Sequence, residues 1–131
     1  MLLVLQQSSR GPATFVQDAG TAALSGSQEC VAEMQREYSE RRRQVVETLS
    51  GISGVHVAAP EGGFFAMVNV HERNPSSNEV RRYLLHQHSV VVAHGSAYGE
   101  GGEGLLRVSF AAGGDNLSRG LERLRAGLTA L

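Results

Sequence analysis

Apolar residues recur along this chain in two rhythms, helical spacing in the first third and near-continuous or alternating runs further on. From Pro12 to about Leu24 the pattern predicts a helix, with Pro12 suited to the first helical position because its missing N–H has no partner to lose there. The polar stretch Gln6 to Pro12 leads into it, and Ser25-Gly26-Ser27 ends it. Ser25 and Gln28 have the spacing of a capping box for a second helix, expected from about Gln28 to Ser50. Its stripe is Val31, Met34, Tyr38, Val45 and Leu49, stepping by threes and fours with one double step through Arg42. At about 1.5 Å per residue this helix would be about 35 Å long, enough to lie across a second body or connect two.

Beyond Gly51 and Gly54 the period changes. Val55 to Ala58 reads as a short strand, and Pro60-Glu61-Gly62-Gly63 as a turn. The run Phe64 to Val70 reads as a longer strand with Phe64, Ala66, Val68 and Val70 on one face. Ser76 and Glu79 form another capping box, opening a helix that ends near His88. Val90 to Ala93 is a short buried strand, a glycine-rich loop spans Gly95 to Gly104, and Leu105 to Phe110 is a strand. Asp115 is placed to cap a last helix with Leu117, Leu121, Leu124 and Leu128 on one side. The expected fold is α+β: a small sheet of three to four strands, helices packed mainly on one face, and a long helix before it. The other sheet face would then need cover from elsewhere.

Composition narrows the chemistry. At 14.0 kDa the chain is long enough to bury a core without staples. A hydrophobic content of 41% with a formal net charge of −1 describes a globular protein with no electrostatic case for nucleic acid or an anionic membrane. The arginines at Arg41–Arg42–Arg43 and Arg81–Arg82 are read as solvated helix faces offset by nearby glutamates. Cys30, the only cysteine, excludes an internal disulfide and fits a reducing, cytoplasmic setting; within the long helix it is expected to be a small buried hydrophobe. Met1 to Leu5 have no basic lead and are too short for a signal peptide, and no segment approaches a membrane span.

The twelve basic side chains are all arginine; the chain contains no lysine. No Schiff base can form on a side-chain amine here, and arginine is no substitute because guanidinium stays protonated. The strand Leu105 to Phe110 carries the most pointed candidate. Alternation puts Leu106, Val108 and Phe110 on the core face and leaves Arg107 and Ser109 opposite, beside Leu105. Guanidinium grips carboxylate bidentately, so Arg107 is either a carboxylate-binding residue, an arginine paired with an internal acid, or an edge residue facing water. The loop Gly99-Glu100-Gly101-Gly102-Glu103-Gly104 matches G-x-G-x-x-G, but a strand follows it and its glutamates would repel phosphate, so a dinucleotide site is rejected in favour of a mobile turn. Among the five histidines, His86, His88 and His94 have no ligand partners at metal spacing, and no metal is expected. Asn116-Leu117-Ser118 is a glycosylation sequon without a secretory context, and no serine nucleophile motif occurs.

With these elements placed, the chain from about Gln6 onward resembles the C-terminal part of class I/II aminotransferases, pyridoxal-phosphate enzymes of the aspartate aminotransferase fold type. The residues that carry the resemblance are Ala13 to Ala19, the long helix with Tyr38, Arg41 and Arg42, and Pro60-Glu61-Gly62-Gly63-Phe64-Phe65. His94-Gly95-Ser96-Ala97-Tyr98-Gly99 and Leu106-Arg107-Val108-Ser109-Phe110 follow in the family's order. The resemblance implies that Arg107 binds the substrate's α-carboxylate, that residues 1–24 are a helical lead-in, and that 25–131 form the small domain with its linking helix. It implies that pyridoxal phosphate acts in the complete enzyme, with amino acid and 2-oxo acid as substrates and an upstream large domain or a homodimer partner beside this chain. The Schiff-base lysine, the acid on the pyridine nitrogen and most of the phosphate grip would come from that large domain, so no catalytic or cofactor-binding residue is expected in this chain and it should be inactive alone. His94 stands where the family commonly has proline. Two other readings are a noncatalytic association domain, possibly complementing a separate large domain, and a stand-alone carboxylate-binding module built on Arg107.

Overall fold

A computed structural model describes residues 2–8, 11–73 and 75–131. Met1, Ser9 and Arg10 of the expected N-terminal stretch therefore lie outside the described residues. The chain divides into two compact units, Met1–Met34 and Gln35–Leu131, and the division falls inside a helix.

In the first unit, α1 (Leu2–Ser8) lies within the expected helical lead-in but before the helix that the pattern delimits from Pro12, and α2 (Thr14–Ser25) follows. α2 begins two residues later than Pro12 because Ala13 is extended and its carbonyl accepts the first amides, from Val16 and Gln17. No residue of α2 is buried. The long helix α3 runs Glu29–Leu49, close to its expected span. Ser25 does not cap it: the hydroxyl donates back to the Thr21 carbonyl at 2.7 Å inside α2, while Ser27 accepts from the Glu29 amide at 3.2 Å. Cys30 is exposed, correcting the expectation of a buried hydrophobe, and Val31 and Met34 are about half exposed. Burial on the α3 stripe starts at Tyr38 and becomes complete at Val45 and Leu49.

The second unit is an antiparallel four-stranded sheet in the order β1-β2-β4-β3, where β1 is His56–Val57, β2 Phe65–Asn69, β3 Ala93–His94 and β4 Leu105–Ser109. α4 (Ser77–His88) joins β2 to β3, and α5 (Gly114–Ala130) closes the chain. Alternation along the central strands decides what is buried. Ala66 and Val68 of β2 and Leu106 and Val108 of β4 face a core shared with Val45 and Leu49 of α3, Val80 and Leu84 of α4, and Leu117, Leu121, Leu124 and Leu128 of α5. Phe110 and Val70, just beyond the strands, join the same core. The helices thus cover one face, giving the expected α+β architecture. Phe65, Met67, Asn69, Leu105, Arg107 and Ser109 alternate onto the other face and range from half-buried to exposed.

Several boundaries differ from expectation for local reasons. Phe64 is 41% exposed and precedes β2, although its carbonyl still accepts from the Phe110 amide at 2.9 Å and so lengthens the β2–β4 ladder. Val90 to Val92 do not form the predicted strand. Ser89 adopts the left-handed conformation, and the Val90 amide is used to close α4 through the Leu84 carbonyl at 3.1 Å. Val90 and Val92 still pack into the core while Val91 is exposed. Asp115 sits in the first turn of α5 and Gly113 is the cap residue, with no side-chain cap bond; an acid there still favours the positive helix end. The Ser76–Glu79 capping box forms as predicted, with both reciprocal bonds present.

The arginine cluster on α3 is more than a solvated face. Arg43 pairs with Glu40 and Glu47 in water, but the Arg41 side chain is only 16% exposed and donates to the Ala111 carbonyl at 2.6 Å while pairing with Glu37. Arg42 donates to the Pro60 carbonyl at 3.1 Å. Gln44 donates to Ser118 at 2.9 Å, and Arg125 donates to the Thr48 carbonyl at 2.9 Å, so polar bonds lash α3 to the end of β4, the turn before β2, and α5.

Candidate functional site

The site lies on the sheet face that the helices leave open. Arg107 stands in the middle of β4, directly opposite Met67 on β2 and Ala93 on β3. A strand paired on both sides cannot turn its side chain toward an edge, so the guanidinium rises from the sheet centre. Phe65 is Met67's neighbour on the same face, diagonal to Arg107 across the antiparallel pair, within reach of a long side chain. The guanidinium carbon lies 4.2 Å from the centroid of the Phe65 ring and 4.8 Å from that of Tyr98. Both distances are within cation–π range. Among the described residues the Arg107 side chain has no hydrogen bond and no ion pair. Of the three readings the sequence left open, pairing with an internal acid is therefore not what the structure shows. The residue is half-buried against aromatic faces with its planar set of N–H donors free for an external acceptor.

Tyr98 reaches Arg107 from the glycine-rich segment, which folds as consecutive 3-10 turns over Gly95–Tyr98 and Glu100–Gly102. The glycines have a steric reason: a Cβ on Gly95 would overlap the Gly102 carbonyl oxygen, and one on Gly102 would overlap that of Gly95. Two backbone stretches cross in contact there, which only residues without a side chain permit. The segment read from its glycines as a turn is thus a loop closed on itself. Its far end is fastened to the N-terminus of α4. The Glu103 carboxylate accepts from the Ser77 amide at 2.7 Å, from the Ser77 hydroxyl at 3.2 Å and from the Gly104 amide at 3.0 Å. The Ser77 amide bond, then the Gly104 amide and the Ser77 and Ser96 hydroxyls, hold this carboxyl below its usual range. Ser77 is fully buried, and its hydroxyl lies 3.3 Å from that of Ser96, which in turn lies 2.7 Å from His94 Nδ1. His94, Ser96, Ser77 and Glu103 thus form one polar chain beneath the loop.

The other sequence candidates are dispersed. His88 Nε2 lies 3.1 Å from the Tyr83 hydroxyl and His56 Nε2 lies 3.3 Å from Glu72, while His94 belongs to the loop network. Among the described residues no group of three or more histidine, cysteine, aspartate or glutamate side chains could hold a metal. No helix among them is long and apolar enough to cross a membrane. Cys30 lies in the first unit, away in sequence from every residue of the loop network. The sequence alone does not mark Phe65 and Tyr98 as site residues. Phe65 was legible in principle, since it shares the Arg107 face once the β2–β4 register is known; Tyr98 had no signal, because a loop residue carries no period.

The arrangement offers one chemical capability, bidentate recognition of a planar anion by a preplaced guanidinium. Known proteins resemble this chain in sequence and fold. The family profile described as aminotransferase class I and II matches residues 4–124. An aspartate aminotransferase of Pyrococcus horikoshii is 37% identical over 118 residues, covering 88% of this chain and 30% of that protein. An aspartate/prephenate aminotransferase of Nitrosomonas europaea is 33% identical, covering 92% of this chain and 33% of its own length. The crystal structure of an aromatic aminotransferase from P. horikoshii superposes with a TM-score of 0.87 at 30% identity, over 95% of this chain and 34% of that one. The chain therefore spans about a third of the length of the relatives it matches. With a profile match across nearly its whole length, the chain belongs to the aminotransferase class I and II family.

Proposed function

We propose that this chain supplies the substrate-carboxylate grip of a pyridoxal-phosphate-dependent aminotransferase, exchanging an amino group between an amino acid and a 2-oxo acid. Arg107 is the gripping residue. Residues 1–24 serve as a helical lead-in and residues 25–131 as the small domain with its linking helix, in a cytoplasmic enzyme. The observation that carries the reading is an arginine at the centre of an open sheet face, with no acid paired to it among the described residues and both flanking contacts aromatic.

The family's cofactor supplies an electron sink for amino-group chemistry. This chain holds no lysine to bind its aldehyde, so the residues present do not fit a complete cofactor site, and that part belongs to another segment or subunit. What this chain contributes is orientation. A carboxylate held through parallel N–H bonds fixes the plane and direction of the substrate's α-carbon relative to the rest of the site, converting an encounter into a positioned reaction. The Phe65 and Tyr98 ring faces lie against that guanidinium and attract it without using its N–H donors.

A second reading is supported by a different observation. Phe15, Leu24, Val31 and Met34 of the first unit are all exposed, Phe15 by 75% and Leu24 by 88%. Such a concentration of uncovered apolar side chains suits an association domain that docks on a separately encoded large domain, with catalysis restored in trans.

Arg107→Ala tests the leading reading. In the complete enzyme, amino-acid binding should weaken by about 2–5 kcal/mol, the value of truncating one partner of a charged hydrogen-bonded pair. Arg107→Lys should recover only part of it, because an ammonium cannot match the carboxylate bidentately. Unchanged steady-state kinetics for Arg107→Ala would remove the residue from the site.

A further inference from the structure

We infer that Phe65 and Tyr98 are positioning residues for Arg107, their rings setting the guanidinium in the orientation that receives a carboxylate. The inference rests on the carboxylate-binding reading of Arg107 and deepens it.

An arginine side chain is long and flexible, and one without an internal hydrogen-bond partner would sample many rotamers. Here the guanidinium is instead held over two ring faces, at 4.2 Å from the Phe65 centroid and 4.8 Å from that of Tyr98. A ring quadrupole attracts the cation without using any of its N–H donors. Aromatic contacts therefore fix the group while leaving its full donor set for the ligand, which an internal carboxylate would not do. The two rings are themselves held by separate means. Phe65 is locked by the β2–β4 register and packs on Phe64 with ring centroids 4.6 Å apart. Tyr98 is 59% exposed, so no core packing holds it. Its place is set by the loop, through the Gly95–Gly102 crossing and the bonds from Ser77 and Gly104 to Glu103. An exposed tyrosine on a fastened loop, laid against an otherwise unpaired arginine, is well placed to order that arginine and has no visible role in stabilising the fold.

The test is kinetic, in the complete enzyme, with Tyr98→Leu, Tyr98→Phe and Phe65→Leu made beside Arg107→Ala and the double variant Arg107→Ala/Tyr98→Leu. Tyr98→Leu and Phe65→Leu should each raise KM for the amino acid about two- to fivefold, with kcat little changed. Tyr98→Phe should restore the wild-type KM, since the ring face is kept. In the Arg107→Ala background the Tyr98→Leu effect should vanish, because the ring acts only through the arginine. Tyr98 is exposed, so its variants keep the fold even if Phe65→Leu disturbs it. The inference is overturned if Tyr98→Leu leaves KM unchanged while Arg107→Ala raises it, if Tyr98→Phe behaves like Tyr98→Leu, or if the Tyr98→Leu effect persists without Arg107. Should Arg107→Ala itself leave KM unchanged, the carboxylate reading fails first, and the outcomes are distinguishable.

Discussion

Two arginines of this chain show how neighbours decide what a guanidinium does. Arg41 is nearly buried and donates to the Ala111 carbonyl, so its donors are consumed in fastening α3 to the end of β4. Arg107 spends none of its donors inside the described structure and is held by ring faces alone. Sequence placed Arg107 on the right face because period-two alternation is insensitive to everything but strand type. Helical spacing leaves Arg41 on a solvated face, because it does not reveal what an adjacent loop brings over. Glycine follows the same logic at Gly95 and Gly102, where backbones touch. Gly95→Ala forces a methyl into the Gly102 carbonyl oxygen and should lower stability by about 1–3 kcal/mol, read as a shift in the urea midpoint. A midpoint equal to wild type would mean that the crossing is not close.

Among the elements, α4 and the loop after β3 form a unit joined by a carboxylate. Glu103 satisfies an orphan amide of the first turn of α4, a position where negative charge is also favoured by the helix dipole. Its carboxyl lies below the usual range when folded, so the stability it contributes is present above the unfolded value, about pH 4.3, and is lost as pH falls through the folded one. Glu103→Gln should therefore melt below wild type near neutral pH, and the gap should close in acid as wild type becomes protonated. A gap that stays constant down to about pH 3 would show that charge plays no part there. Such long-range fastening is not encoded in local spacing. The capping box at Ser76 and Glu79 was legible because its partners are three residues apart, and the α5 stripe because leucine recurs at helical spacing. The bond from Ser77 to Glu103 joins residues far apart in sequence, and nothing local announces it. The run Val90 to Ala93 predicts a strand because apolar β-branched residues favour one, but the left-handed Ser89 commits the Val90 amide to α4 and delays pairing until Ala93.

At the scale of the whole molecule, the proposed function makes the chain one side of a divided task. It spans about a third of its relatives' length, holds an arginine suited to a substrate carboxylate, and contains no lysine. Its helix-covered sheet face builds the core, and its open face presents Arg107, Phe65 and Met67 outward. The amino-terminal unit adds exposed apolar residues on α2 and the start of α3. Both features suit a polypeptide that completes a site shared with another segment or subunit. The most direct measurement is to reduce the active, pyridoxal-phosphate-loaded enzyme that contains this sequence with borohydride and map the labelled peptide. The account predicts the label on a lysine outside these 131 residues, with Arg107 required for amino-acid binding. A label mapping inside residues 1–131 would contradict it.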